Sequence, residues 1–353
     1  MQESKMKQIR RLTSILLCVV LCLGLTACGI LKSASLDDGN GLPDGGEHHE
    51  ISEYFLELPY KDDFRVLQLS DIHLGNKDNR QLHYDFLSLT INDADADLIV
   101  IIGDTFTFAD KTVAKELFAF LDGFGVPWTI TFGNHDEQCY FSIDWLTDTL
   151  NNYGSNCVFK DIQGDDIFGN ANFAINLTDD SDTVAQVILL DSNRYNFGDY
   201  WGYDYLKPSQ ISWYRELVDY STQASGAVVP SIVMMHIPIP EFADAWEAAQ
   251  AGDPDAVLEF GSLAENVCCP EYNTGFFDAV LGKESTKAII CGHDHTSNFR
   301  INYKGVYLVY GTNSTDRIYY SEESLGGMVI TVDRGGELAF EQIHHSYSEV
   351  VQP

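Results

Sequence analysis

Seven apolar runs, each six to eight residues long and rich in β-branched side chains, recur through this chain: "FRVLQLS" (64–70), "LIVIIG" (98–103), "WTITFG" (128–133), "AQVILLDS" (185–192), "SIVMMH" (231–236), "KAIICG" (287–292) and "VYLVYG" (306–311). Runs this short and this apolar predict buried strands. Between them, "QLHYDFLSLTIN" (81–92), "TVAKELFAFLDGF" (112–124) and "SIDWLTDTLNNY" (142–153) space their apolar residues by three and four, as a helix burying one face requires. "KPSQISWYRELVDYS" (207–221) opens with Pro208 and Ser209, a helix start. Near the end, "MVITVDRGGELAFEQI" (328–343) predicts a hairpin with Gly335 and Gly336 near its turn. Alternating strands and helices followed by a β-rich end point to a layered α/β domain. No linker or internal repeat interrupts residues 51 to 347, so one large domain is expected.

The runs share a second property. Several end directly at polar residues able to bind metal: Asp71 and His73 in "SDIHLG", Asp104 in "GDTF", Asn134, His135 and Asp136 in "GNHD", His236 in "MMHIP", and His293 and His295 in "GHDH". In α/β folds, ligand sites gather at the carboxyl ends of strands. Five of the ten histidines stand at such ends, and turn or cap chemistry does not call for them. Imidazole and carboxylate together suit Zn, Mn, Fe or Co. The donors outnumber what one tetrahedral site needs, and two neighbouring metals sharing one carboxylate fit the count.

In this order, D-x-H (Asp71, His73), G-D (Gly103, Asp104), G-N-H-D (Gly133 to Asp136), a lone His (His236) and G-H-x-H (Gly292 to His295) resemble the motifs of calcineurin-like metallophosphoesterases. The resemblance implies two packed mixed β-sheets flanked by helices, a four-layer α-β-β-α sandwich with a dimetal site at the strand ends. It implies that Asp71, His73 and His295 bind one metal, that Asn134, His236 and His293 bind the other, and that Asp104 bridges both. The pair would be divalent or mixed-valence Mn, Fe or Zn. A metal-bridging hydroxide would attack the phosphoester in line. His135 would hydrogen-bond the phosphate or protonate the leaving oxygen, with Asp136 orienting its ring. Imidazole suits proton transfer near neutrality.

"LDSNRY" (190–195), "LKPSQISWYREL" (206–217), "HIPIPEF" (236–242) and "GFFDAVL" (275–281) resemble a narrower branch related to purple acid phosphatases. Two departures stand out. Thr107 occupies the position of that group's iron-binding tyrosine, and His73 stands where it has glycine. No tyrosinate colour is expected.

The formal net charge of −32 disfavours nucleic acid and anionic lipid as surface partners. The start of the chain is basic, through Lys5, Lys7, Arg10 and Arg11, and leads into an apolar stretch from Leu12 to Leu25. "LTAC", ending at Cys28, resembles the lipobox of bacterial lipoprotein signal peptides. This implies cleavage of residues 1–27, lipid on the Cys28 thiol, a flexible tether over 28–50 and a domain over 51–353 anchored outside the cytoplasm at the cell envelope. Five further cysteines remain, an odd number with no C-x-x-C, and their spacing does not indicate a disulfide.

Substrate selection is expected between the motifs. "RYNFGDYWGYDY" (194–205) holds six aromatic residues and Arg194. Its aromatics, Tyr203 among them, could stack on a base or aryl group, and Arg194 could hold a second phosphate. Residues 241–274, with Cys268 and Cys269, could form another wall. The expected activity is phosphomonoester or phosphodiester hydrolysis. The alternatives are a nucleotidase or cyclic-nucleotide phosphodiesterase, and a non-catalytic surface lipoprotein.

Overall fold

The computed structural model describes residues 49–154, 156–162, 166–198 and 201–350. The expected leader, the expected lipid attachment at Cys28 and nearly all of the expected tether lie outside the described residues. No helix among the described residues is long and apolar enough to cross a membrane.

Two sheets carry the fold. In the first, β2 (Phe64–Leu69), β3 (Leu98–Ile102) and β4 (Trp128–Thr131) run parallel, and the hairpin of β14 (Gly326–Val332) and β15 (Leu338–His344) adds antiparallel, giving the order β15-β14-β2-β3-β4. The second has a parallel centre of β6 (Asp182–Leu189), β9 (Ser231–Met234), β11 (Thr286–Cys291) and β13 (Val306–Tyr310). Around these lie β1 (Phe55–Pro59), β5 (Phe173–Asp179), β10 (Ala256–Phe260) and β12 (Arg300–Tyr303), in the order β1-β5-β6-β9-β11-β13-β12-β10. A separate two-stranded hairpin pairs β7 (Tyr195–Asn196) with β8 (Gly202–Tyr203).

All seven predicted runs are strands, because each is buried on both faces. In β9, Ile232 and Met234 join the core between the sheets, while Val233 and Met235 beyond it join a second core. In β11, Ala288 and Ile290 alternate with Ile289 and Cys291 in the same way. This period of two is the strand geometry itself. The second core lies under α4 (Pro208–Ser225), α5 (Glu241–Ala251) and α6 (Phe276–Lys283), which contribute Trp213, Leu217, Phe242 and Phe277. The five-stranded sheet is covered by α1 (Arg80–Ala94), α2 (Lys111–Asp122) and α3 (Ile143–Asn151), through residues such as Phe86, Leu117 and Leu146. The expected four layers, two sheets packed face to face and flanked by helices, are present.

Helix starts are set locally. Asp110 caps α2 by accepting from Thr112 N at 2.8 Å and Val113 N at 3.2 Å, and Ser142 caps α3 by accepting from Trp145 N at 3.2 Å. The strands that periodicity did not reveal include β1 and β10, which form the two edges of the larger sheet. Four of the five residues of β10 are exposed, so it lacks a continuous apolar run. No disulfide forms among the described residues, where the five cysteines from Cys139 to Cys291 are free thiols.

Candidate metal centre

β2, β3 and β4 of one sheet and β9 and β11 of the other deliver every expected ligand just past their carboxyl ends. The backbone joins these ends. Asp71 N donates to Gly103 O at 3.1 Å, His73 N to Asp104 O at 2.9 Å, and Gly292 N to His236 O at 3.0 Å. Across the sheets, Ser314 N donates to Ser70 O at 2.8 Å. Asp71, His73, Asp104 and His293 all adopt left-handed backbone conformations, with φ of 56°, 49°, 48° and 73°. Such conformations are costly for residues other than glycine and cluster at functional sites. Two motif glycines exist because a neighbouring ligand occupies the space of their missing side chain. A Cβ on Gly103 would lie 2.6 Å from His236 Cγ, and one on Gly133 would collide with the Asp104 carboxylate.

The seven side chains are buried, none more than 8% exposed. Asp71, His73 and His295 form one group of potential ligand atoms, and Asp104, His236 and His293 a second, each within 4.8 Å. His295 Nε2 is 3.1 Å from Asp71 Oδ1 and 3.4 Å from His73 Nε2. Asp104 stands between the groups. Its Oδ2 lies 3.2 Å from His236 Nε2 and 3.6 Å from His73 Nε2, while its Oδ1 accepts from His135 N at 2.7 Å.

The donor atoms are those of a site built for cations. Asn134 Oδ1 and His293 Nε2 are buried with no hydrogen-bond partner, while Asp71 Oδ1 and His236 Nε2 face the oppositely charged His295 and Asp104. Two orphaned donor atoms within one cluster of buried imidazoles and carboxylates fit metal ligation. Three imidazoles are held at their other nitrogen, which leaves Nε2 directed at the cluster. His73 Nδ1 bonds Thr107 Oγ1 at 2.8 Å, His236 Nδ1 bonds Ile102 O at 2.9 Å, and His295 Nδ1 bonds Tyr319 O at 3.0 Å.

A sequence model described as calcineurin-like phosphoesterase matches residues 64–297. The chain belongs to the calcineurin-like phosphoesterase family. Probable inactive purple acid phosphatase 29 of Arabidopsis thaliana is 29% identical over 294 residues, covering 72% of this chain and 73% of that protein. Phosphatase DCR2 of Saccharomyces cerevisiae is 24% identical over 279 residues, covering 70% of this chain and 47% of that protein. A solved dimetal phosphatase from Danio rerio is 14% identical with a TM-score of 0.49, covering 80% of this chain and 99% of that one.

In this chain the two positions expected to depart from the purple enzymes meet, since Thr107 Oγ1 is the partner of His73 Nδ1. His135 lies at the edge of the cluster. Its Nε2 is 3.9 Å from Asp104 Oδ2, and its side chain is 34% exposed. The expectation that Asp136 orients the His135 ring is corrected. Asp136 is fully buried and accepts from Phe106 N and Gly133 N, each at 2.8 Å, tying the loop after β4 to the loop after β3. His135 Nδ1 is instead 2.9 Å from Gln138 Oε1. A Gln one helical turn after the His carries no charge signal in the sequence, whereas the adjacent carboxylate does.

Arg194 does not present an open fork to an anion. Nη1 donates to Glu137 Oε1 at 2.5 Å and Nη2 to Asn170 Oδ1 at 3.3 Å, so it braces the "GNHDEQ" loop. Tyr203 packs edge-on against His293, with ring centroids 4.5 Å apart. Three neighbours of the cluster were not singled out from the sequence. Tyr195 OH accepts from Asn134 Nδ2 at 2.7 Å, which turns Oδ1 of that amide toward the cluster. Tyr319 stacks on His295, centroids 4.5 Å apart. Asp294 Oδ2 accepts from Tyr310 OH at 2.5 Å and Cys268 N at 3.0 Å, drawing the 262–275 segment against the "GHDH" loop.

The buried charges fall into pairs. Burial holds the imidazoles of His73 and His293 down to about 3, so both are neutral near neutral pH. Burial opposes charge on His236 as well, but the Asp104 carboxylate outweighs it and raises that imidazole to about 10. His295 is raised in the same sense, its burial outweighed by Asp71. Conversely, Asp71 and Asp104 stay well below the usual carboxylate range despite burial, held there chiefly by His295 and His236 respectively.

Metal binds only deprotonated imidazole. A proton on His236 is present in the metal-free protein below a pH of about 10 and is lost as pH rises through that value. Metal uptake near neutral pH should therefore expel roughly one proton from His236. Apparent affinity should climb about tenfold per pH unit for each proton displaced. Calorimetric titration in buffers of different ionisation enthalpy measures this release, and uptake with no proton release would contradict it.

Proposed function

We propose that this chain is a dimetal phosphoester hydrolase in which His135 assists the leaving group. The observation that carries the reading is the pair of buried donor groups flanking Asp104 Oδ2, with Asn134 Oδ1 and His293 Nε2 left without a hydrogen-bond partner beside them. Asp71, His73 and His295 would hold one ion, Asn134, His236 and His293 the other, and Asp104 both. When bound, two such ions supply Lewis acidity and a nucleophilic oxygen at neutral pH.

The protein's own residues would do the rest. Two carboxylates do not neutralise two divalent cations, so the loaded site attracts a phosphoryl group although the protein as a whole carries a formal charge of −32. His135 stands beside the cluster with one face toward solvent, where a leaving oxygen would depart. Gln138 holds its ring from the far nitrogen, as the orienting group of a proton donor should. The domain would act on the outer side of a membrane, held by lipid on Cys28, a proposal resting on the sequence of residues 1–28 alone.

A non-catalytic reading is favoured by relatives named probable inactive phosphatases. It is opposed by a donor set that lacks no member. The deciding experiment strips purified protein with a chelator, reloads it with Mn, Fe or Zn, and assays an aryl monoester, its bis-aryl diester and nucleotides. The expected result is hydrolysis of at least one ester that vanishes on chelation and returns with metal. Protein that takes up both metals and hydrolyses none of the esters would overturn the proposal.

A further inference from the structure

Ser70 is the first residue past β2, between the apolar run and Asp71, and it is fully buried. A hydroxyl so placed takes a hydrogen-bond partner. Its Oγ donates to Asp71 Oδ2, which also accepts from His293 N at 3.1 Å. That oxygen is thus engaged twice. Oδ1 of the same carboxylate faces the donor cluster, 3.1 Å from His295 Nε2, 3.9 Å from His73 Nε2 and 4.0 Å from His236 Nε2.

Both sheets shape the place of this hydroxyl. A Cβ on Gly292, the glycine that opens "GHDH", would collide with Ser70 Oγ and lie 2.7 Å from Asp71 Oδ2. The motif glycine therefore leaves room for the hydroxyl as well as for the carboxylate. Ser70 N donates to Ser314 Oγ at 3.3 Å, and Ser70 O accepts from Ser314 N at 2.8 Å. The backbone of Ser70 is pinned by Ser314, and its side chain is left to Asp71. Asp104 is held differently, because its Oδ1 accepts from the backbone N–H of His135. Of the two carboxylates, Asp71 is the one steered by a side chain.

We infer that Ser70 is a positioning residue of the first metal group: its hydroxyl, together with the His293 N–H, holds Asp71 Oδ2 and so directs Oδ1 at the ion. The inference rests on the ligand role proposed above for Asp71. The terminal torsion of an aspartate is broad and close to two-fold, so an untied carboxylate exchanges its oxygens readily. Without the hydroxyl, one hydrogen bond remains on Oδ2, and the carboxylate spends less time with Oδ1 toward the cluster. Outer partners of this kind contribute roughly 10–100-fold to metal affinity.

The test titrates chelator-stripped wild type, Ser70→Ala, Ser314→Ala and His295→Ala with zinc in competition with a chromophoric chelator. The step lost in His295→Ala identifies the first group. In Ser70→Ala that step should weaken roughly 10–100-fold, and the other step should not change. His293 N still donates to Asp71 Oδ2 in this variant, so no buried acceptor is orphaned and the fold should hold, as thermal unfolding checks. Ser314→Ala is the structural control. It takes the acceptor from Ser70 N and should lower stability, yet both metal steps should match wild type. Ser70→Cys keeps a weaker donor and should show a smaller loss at the first step, which stands as the measurement if Ser70→Ala does not fold. An unchanged first step in the Ser70 variants overturns the inference. Equal weakening of both steps, or the same loss in Ser314→Ala, reduces Ser70 to packing and overturns it too. Wild type that takes up no metal defeats the metal-centre reading and this inference with it, whereas two ions bound by wild type and an unaltered first step in Ser70→Ala defeat the role of Ser70 alone.

Discussion

Asp104→Asn should release metal from both sites and lower turnover by at least about 10³-fold, well beyond the roughly 10–100-fold cost of losing an outer partner of a metal ligand. The reason is the position of one oxygen. Oδ2 of Asp104, a member of the second donor group, also faces the first, lying 3.6 Å from His73 Nε2 and 3.2 Å from His236 Nε2. An amide of the same shape removes one of the two anionic ligands and puts either a neutral oxygen or an N–H at that point. It also removes the counter-charge that holds His236 up to about 10. The backbone contacts around Gly133 keep the same outline, so the fold should survive, and a thermal unfolding scan checks this. Elemental analysis after gel filtration reads the occupancy. Both sites fully occupied in the variant would refute the bridging role.

His135→Ala separates binding from chemistry. Its ring belongs to neither donor group, so metal content should stay at the wild-type level. The rate should fall by roughly 10²–10⁴-fold, the usual contribution of a positioned general acid. The loss should depend on the leaving group. An alkoxide needs a proton as it departs, while a nitrophenolate does not, so alkyl esters should suffer more than nitrophenyl esters. A loss equal for both would move His135 from proton donor to phosphate ligand, and an unchanged rate would remove it from the mechanism. Gln138, whose Oε1 lies 2.9 Å from Nδ1, keeps Nε2 as the working nitrogen. No negative charge from Asp136 contacts the ring, because both oxygens of that carboxyl are engaged by backbone N–H groups of Phe106 and Gly133.

The strands and the donors at their ends were legible because both signals are local. A strand buried on both faces must be apolar along its whole length, so "LIVIIG" or "KAIICG" announces itself, and the first polar residues after it stand where the sheet opens. Edge strands such as β10, with its mostly exposed residues, leave no such mark. Residue type and order therefore pointed to the layered α/β class and to metal-binding donors at the strand ends, and the resemblance to metallophosphoesterase motifs implied which seven are ligands and set His135 apart. Tertiary structure decided what depends on atoms distant in the chain. It placed Asp104 Oδ2 between the groups, paired His73 Nδ1 with Thr107, and fixed Nδ1 of His236 and His295 as donors to Ile102 O and Tyr319 O. It gave Asp136 to the backbone and His135 to Gln138, and it closed the fork of Arg194 on Glu137. A backbone carbonyl is present in every residue, and a side-chain amide or carboxylate can turn toward several neighbours. Which partner each buried polar atom takes is thus settled only when the chain has packed and each must be satisfied.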